Sequence, residues 1–339
     1  MSEDSQNKLR IKNRRTRNLI ALSAFVMVLG MMSGCSGSAK KAEVESDYQG
    51  VQIGVITYSW RSMPSTPEDI IKYCKQTGIT SLELMGNIAE DFAGAPARPA
   101  WPENFKELGN DEKAEFRMKL EEHGKIMSEW RINEASPEKY KELKSMFDEA
   151  GIHIHTVKFS PANWSDAEID YAFESAKVLG AKGVTNEIGL EAAQRLGPFA
   201  EKHDMYAVFH NHGQPGDSAF NFEDYLVFSP NNMLNLDVGH YFGATGKNPA
   251  ELIRKLHERI YSIHLKDKTG ISGYPPDTNA PWGQGDTPLS DVLRLIQTNQ
   301  WDIYCDIELE YEIPEGSNAV IETGKCVSYA KKLLAPMAE

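Results

Sequence analysis

From residue 51 the chain alternates between short apolar runs and longer amphipathic stretches. VQIGVITYSW (51–60), ITSLELMG (79–86), IHIHTVKFS (152–160), KGVTNEIG (182–189), YAVFHNH (206–212), MLNLDVGH (233–240), IYSIHLKD (260–267) and IYCDIELEY (303–311) read as eight strands. Helical patterns fall between them. TPEDIIKYCKQTG (66–78) starts with Thr66 as N-cap and Pro67 at the first helical position, and stops at Gly78. WSDAEIDYAFESAKVLG (164–180), AELIRKLHER (250–259), PLSDVLRLIQ (288–297) and the closing SNAVIETGKCVSYAKKLL (317–334) follow the same period. Strands alternating with helices predict a parallel sheet with helical crossovers. Eight such units within 51–339 predict an α/β fold, a single-domain (β/α)8 TIM barrel. An open doubly wound sheet fits less well, because no Gly-rich phosphate turn follows the first strand. An insertion separates strands two and three. It runs from AGAPARPAWPENF (93–105) through a charged helical stretch to PEKYKELKSMFDEAG (137–151). It is expected at the barrel mouth or rim, where it would shape a substrate pocket.

The N-terminus breaks this pattern. Basic residues crowd 8–17 (KLRIKNRRTR), and an apolar run, LIALSAFVMVLGMM, follows over 19–32. That run is short for a membrane span and suits the core of a signal peptide. MSGC (32–35) resembles a bacterial lipobox, which implies cleavage before Cys35 and lipidation of that cysteine. Residues 1–34 are therefore expected to be a lipoprotein signal and 35–50 a polar tether. The implied location is the periplasm or cell envelope, with the membrane reached through the lipid anchor only. The net charge is −13; since 1–34 carry six Lys/Arg against two Asp/Glu, the remainder bears −17. An acidic surface repels phosphate backbones and argues against a nucleic-acid partner. Cys74, Cys305 and Cys326 are too scattered for a disulfide framework or a Cys-rich zinc site.

Candidate chemistry comes from strand parity. On strand five, Tyr206, Val208, His210 and His212 share one face; on strand six, Asn235 and Asp237 do. On strand seven Ser262, His264 and Lys266 oppose Tyr261, Ile263 and Leu265. On strand eight Tyr304, Asp306, Glu308 and Glu310 oppose Ile303, Cys305, Ile307 and Leu309. The polar rows would point into the barrel and the apolar rows would pack under the helices. His210, Asp237, His264 and Glu308 then fall at the C-terminal ends of four consecutive strands, where barrel enzymes keep their sites. Burying so many polar groups is costly without a partner. One divalent ion held by two imidazoles and two carboxylates is a natural partner. Mn, Co, Zn, Fe or Ni suit such mixed donors, and Mg stays open.

HNH, DVGH, HLKD with the later WGQGD, and the final IELE together resemble the signature of xylose isomerase-like barrels. These are the sugar phosphate isomerase/epimerase proteins, related to ketose 3-epimerases and inosose dehydratases. The resemblance covers roughly 50–335 and is clearest after 205. It implies one divalent ion held at the ends of strands five to eight, commonly by Glu, Asp, His and Glu. Asp237, His264 and Glu308 match the last three, with Glu310 as runner-up for the final place. His210 stands where ketose epimerases have their first Glu. The metal survives that exchange, but the two-carboxylate epimerase mechanism loses half its acid–base pair.

Other residues surround this constellation. His240 would lie at the mouth; Glu308 or His212 would be the base that moves the proton, and Glu187 or His240 would handle the water or hydroxyl. Lys266 would stabilise an enolate oxygen, and Glu187 is a candidate base. Glu83 and Lys158 are weaker, substrate-binding candidates, and Trp282 in GYPPDTNAPWGQGD (273–286) would cover a sugar ring. His153 and His155 read as core, and His123, His203 and His257 as solvated helix residues. The expected activity is a metal-dependent lyase on a small keto-sugar. Exported members of the resembled family add water to an unsaturated 3-keto sugar in 3-keto-glycoside breakdown. An epimerase in the same pocket and a non-catalytic sugar-binding lipoprotein are the alternatives. An endonuclease is opposed by the charge.

Overall fold

The computed structural model describes residues 48–102 and 104–336. The signal, the lipobox Cys35 and most of the tether lie outside the described residues. The strands are β1 (Ile53–Ile56), β2 (Ser81–Met85), β3 (His153–Lys158), β4 (Gly183–Glu187), β5 (Tyr206–His210), β6 (Asn232–Asp237), β7 (Ile260–Leu265) and β8 (Tyr304–Ile307). All neighbours pair in parallel, and β8 pairs back onto β1, so the sheet closes in sequence order. The expected (β/α)8 barrel is what forms.

Helices α1 (Pro67–Thr77), α2 (Gly86–Phe92), α3 (Asn110–Asn133), α4 (Pro137–Glu149), α5 (Asp166–Val178) and α6 (Leu190–His203) serve the first half. Helices α7 (Glu223–Leu226), α8 (Val238–Thr245), α9 (Pro249–Leu256), α10 (Leu289–Asn299) and α11 (Ala319–Leu334) serve the second. Local chemistry sets the boundaries. At α1, Thr66 Oγ1 accepts from the Asp69 N–H while Asp69 reaches back, a reciprocal cap, and Gly78 takes the left-handed conformation at φ 71°. The strands are buried on both faces, as parallel barrels require. Among the described residues no helix is long and apolar enough to cross a membrane.

Several expectations need correction. The apolar run 51–60 is strand only over Ile53–Ile56; the chain then bends into a 3-10 turn at Thr57–Trp60. The run 303–311 leaves the ladder after Ile307. Tyr261 does not belong to the outer apolar row. The β6–β7 register shifts between Leu234 and Asn235, which pair with Ile260 and Ser262, so Tyr261 is the extra residue of a bulge. Its ring sits 5.3 Å from Tyr206 and 5.4 Å from Tyr304. These three tyrosines lie at the strand starts, opposite the mouth. His155 is buried and bonds Ser81 and Asp306 at 2.9 Å each, but His153 is exposed at its strand's start. His203 is not solvated; it bonds Asp170 at 2.7 Å and stacks on Phe173. His257 stacks on Trp301, and half-buried His123 bonds the Pro96 carbonyl. In the insertion, Arg131 on α3 pairs with Glu90 at 2.7 Å and Glu168 at 3.1 Å. That pairing docks α3 against α2 and α5.

Candidate metal centre and active site

Four strand ends bring four donors together. His210 ends β5, Asp237 ends β6, His264 lies on β7 and Glu308 follows β8. One ligand atom from each lies within 4.8 Å of the others, and all four residues are buried. Asp237 also caps α8: its Oδ1 accepts from the His240 N–H at 2.7 Å, which leaves Oδ2 facing the centre. Asn211 locks β5 to β6, accepting from the Asp237 N–H at 3.0 Å and donating to its carbonyl at 3.2 Å. The residue between the two histidines thus fixes the strand ends that carry them.

Each of the two buried histidines has a second carboxylate on its far side. His210 Nδ1 donates to Glu187 at 3.1 Å, and Nε2 faces Asp237 Oδ2 at 3.4 Å and Glu308 Oε2 at 3.7 Å. His264 Nε2 donates to Glu83 at 2.6 Å, and Nδ1 faces Glu308 Oε2 at 2.9 Å. Such outer carboxylates fix the tautomer of metal-bound imidazoles and raise their basicity. The inward nitrogens and oxygens converge, and with the imidazoles deprotonated they would offer four ligand atoms to one cation. The donor set therefore fits a divalent ion of the borderline class.

The electrostatics agree. Burial would lower His264, but Glu308 and Glu83 outweigh it and push the imidazole up to about 10. Burial would raise Glu83; His264, Lys158 and His210 overcome this and hold it down at about 2. Burial also opposes ionisation of Asp237 and Glu308, yet Lys266 and the histidines hold both below the ordinary carboxylate range. Lys266 Nζ lies 3.0 Å from Asp237, 3.0 Å from Glu308 and 2.6 Å from Glu310.

Above the centre is a mouth cavity of about 210 Å³, lined by Ile56, Tyr58, Met85, Lys158, Glu187, His212, Glu308 and Glu310. Glu187 is its hub: Lys158 Nζ reaches Oε1 at 2.7 Å, and His212 Nδ1 reaches Oε2 at 3.1 Å. Despite burial, the two histidines and Lys158 keep Glu187 well below the usual range. The hydrogen bond to Glu187 in turn raises His212, which is half-exposed. His240 stands beside them, its ring 5.0 Å from that of His212 and its Nε2 3.5 Å from Glu310.

Three expected roles change. Glu83 is fully buried beside His264 and does not line the mouth cavity; it holds the His264 ring. Trp282 packs edge-on against Tyr329 of α11 and does not line the mouth cavity. Its loop is tied down by Asp267, which accepts from the Gly283, Gly285 and Thr287 N–H groups at 2.8, 3.1 and 3.2 Å. That explains the pairing of HLKD with WGQGD: a Cβ at Gly285 would meet Asp267 Oδ1 at 2.3 Å. Among the described residues the insertion contributes none to the lining of the cavity. The aromatic at the mouth is Tyr58, which sequence reasoning placed inside a strand. Arg61 lies 4.5 Å from its ring centroid and bonds the Leu309 carbonyl at 2.7 Å.

A model of the xylose isomerase-like TIM barrel family matches residues 71–325. The chain belongs to that family. An inosose dehydratase of Clostridium botulinum is 25% identical over 134 residues, 35% of this chain and 45% of the relative. This chain thus matches less than half the length of that curated relative. A sugar phosphate isomerase/epimerase from Parabacteroides distasonis superposes with a TM-score of 0.55 at 15% identity, covering 90% of this chain and all of the other. The IOLI protein, solved with a bound zinc atom, superposes at 0.52 with 16% identity, covering 82% of this chain and 97% of the other. At these identities the two structures bear on the fold of this chain alone.

Proposed function

We propose that this barrel is a divalent-metal-dependent hydro-lyase acting on a keto-sugar. In this reading it adds water to an unsaturated 3-keto sugar such as 3-keto-2-hydroxyglucal. The observation that carries the reading is the convergence of His210, Asp237, His264 and Glu308, each histidine backed by its own carboxylate. The dehydratase relative points the same way. An ion held by these four residues would polarise the ketone and a neighbouring hydroxyl oxygen. The remaining work falls to the chain itself. His212, whose basicity the hydrogen bond to Glu187 raises and which lines the cavity, is the acid–base group of this reading. Its neutral ring takes a proton from water as the water oxygen adds to the far alkene carbon, and the imidazolium so formed returns that proton to the carbon beside the ketone. Glu187 is too strongly held as a carboxylate to be the base; it orients His212 and His210. Lys158 fixes Glu187, and Tyr58 with Met85 and Ile56 offers an apolar wall to the sugar ring.

The test is proton NMR in D2O with Zn-loaded protein, an unsaturated 3-keto sugar and, separately, a simple ketose. The expected result is a saturated 3-keto sugar carrying deuterium beside the ketone. Inversion of a centre in the ketose, with the enone untouched, would make the protein an epimerase. Binding without turnover of either would make it a sugar-binding protein.

For location, the reading is an exported lipoprotein held through Cys35, on the strength of MSGC after the apolar run. Mass spectrometry of the N-terminal peptide from cells is expected to find a diacylglyceryl group on Cys35. An uncleaved N-terminus would refute it.

A further inference from the structure

Lys266 sits one residue beyond β7, on the same side as His264, and is 2% exposed. A lysine so deeply buried is held by partners. Its ammonium contacts Asp237 Oδ2 and Glu308 Oε2, the two oxygens that also face the His210 nitrogen. Asp237 has no second oxygen to offer, because Oδ1 is taken by the His240 N–H. A metal would bind these oxygens at about 2.0–2.2 Å. The ammonium, 3.0 Å from the same atoms, would then lie within about 5 Å of a doubly charged ion. Two cations this close repel each other and compete for these oxygens.

We propose that Lys266 is a resident counter-ion of the metal centre, one that must give up Asp237 and Glu308 before a divalent ion can be taken up. This rests on the metal reading above and adds to it a residue that sets metal affinity. Glu310 is the third partner, at 2.6 Å; it stands outside the four-residue group and lines the mouth cavity. The lysine can therefore retain Glu310 while leaving the other two. Its stem has the room it needs because residue 239 is glycine: a Cβ there would meet Lys266 Cγ at 2.8 Å. The device lets three converging carboxylates coexist in the metal-free protein at the cost of weaker metal binding. Lysine suits this, being a compact charge on a flexible stem.

The experiment is titration of metal-free wild type and Lys266→Met with Zn2+ alone, followed by calorimetry and by thermal melting. The variant is expected to bind Zn2+ at least tenfold more tightly. Without metal it should melt lower than wild type, and Zn2+ should raise its melting temperature further. Equal or weaker binding by the variant overturns the proposal while leaving the metal site standing. Failure of both proteins to bind Zn2+, Mn2+ or Co2+ overturns the metal reading as well. A second measurement avoids any folding defect of the variant: the Lys266 ammonium resonance of 15N-lysine-labelled wild type should shift on saturation with Zn2+. An unmoved resonance in a Zn-saturated protein overturns the proposal.

Discussion

Glu83→Gln isolates the role of a residue that lies outside both the four-residue cluster and the lining of the mouth cavity. Glu83 Oε2 accepts from His264 Nε2 at 2.6 Å and from Asn235 Nδ2 at 2.8 Å, while Oε1 is buried without a partner. A glutamine of the same shape can still accept from His264 with its oxygen. Its amide nitrogen then takes the place of Oε1, where the structure offers no acceptor, and the negative charge is gone. A hydrogen bond to a charged group is worth about 1.5–3 kcal/mol. Loss of an outer carboxylate on a metal-bound histidine weakens metal binding by about 10- to 100-fold, or about 1.4–2.7 kcal/mol. The two routes agree, so a loss of about 2 kcal/mol in Zn2+ affinity is expected by calorimetry at pH 7.5. The same variant should lower His264 from about 10, because one of its two flanking carboxylates becomes neutral. Histidine NMR of the metal-free variant reads that directly. Zn2+ affinity within threefold of wild type, with His264 titrating unchanged, would refute the orienting role.

Further outcomes follow from the same geometry. Metal uptake requires His264 to surrender a proton that it holds up to about pH 10, so Zn2+ affinity should rise by up to tenfold per pH unit between about 7 and 9; a flat profile contradicts it. In the metal-free protein the sign for stability is opposite. A raised histidine contributes fully below its unfolded value of about 6.5, and this contribution is lost as pH rises through about 10, measurable by urea melts across that window. His212→Asn should cut kcat by about 100-fold or more with Zn2+ affinity preserved, and Glu187→Gln should move the His212 limb of the pH–rate profile downward. Tyr58→Ala should raise KM by about 2- to 10-fold, whereas Trp282→Ala should lower stability and leave KM unchanged.

Much of the site was legible because a parallel barrel makes parity informative. Outward residues pack under helices and are apolar, so polar residues at alternate positions of β5 to β8 stand out, and His210, Asp237, His264 and Glu308 converge as their spacing predicts. Parity failed at Tyr261, because a bulge adds a residue without marking the sequence. It also failed to limit the first strand, where the apolar run continues past the ladder into the turn that carries Tyr58. Glu83 was singled out as a substrate-binding candidate, but its burial depends on which strands lie across the barrel from it: β7 supplies His264 and β6 supplies Asn235. No single strand records that. Trp282 was misjudged because the anchoring of its loop depends on three backbone N–H groups converging on Asp267, and backbone donors leave no residue-type signal. His155 shows the same limit: its partners, Ser81 and Asp306, come from the adjacent β2 and from β8, three strands away.

The most direct measurement is zinc X-ray absorption on protein loaded with one equivalent of Zn2+. The expected spectrum shows one bound ion with two imidazole nitrogens and carboxylate oxygens at about 2.0–2.2 Å, and loss of one imidazole in His210→Ala. Absence of stoichiometric zinc, or a first shell unchanged in His210→Ala, would contradict the assignment of these four residues.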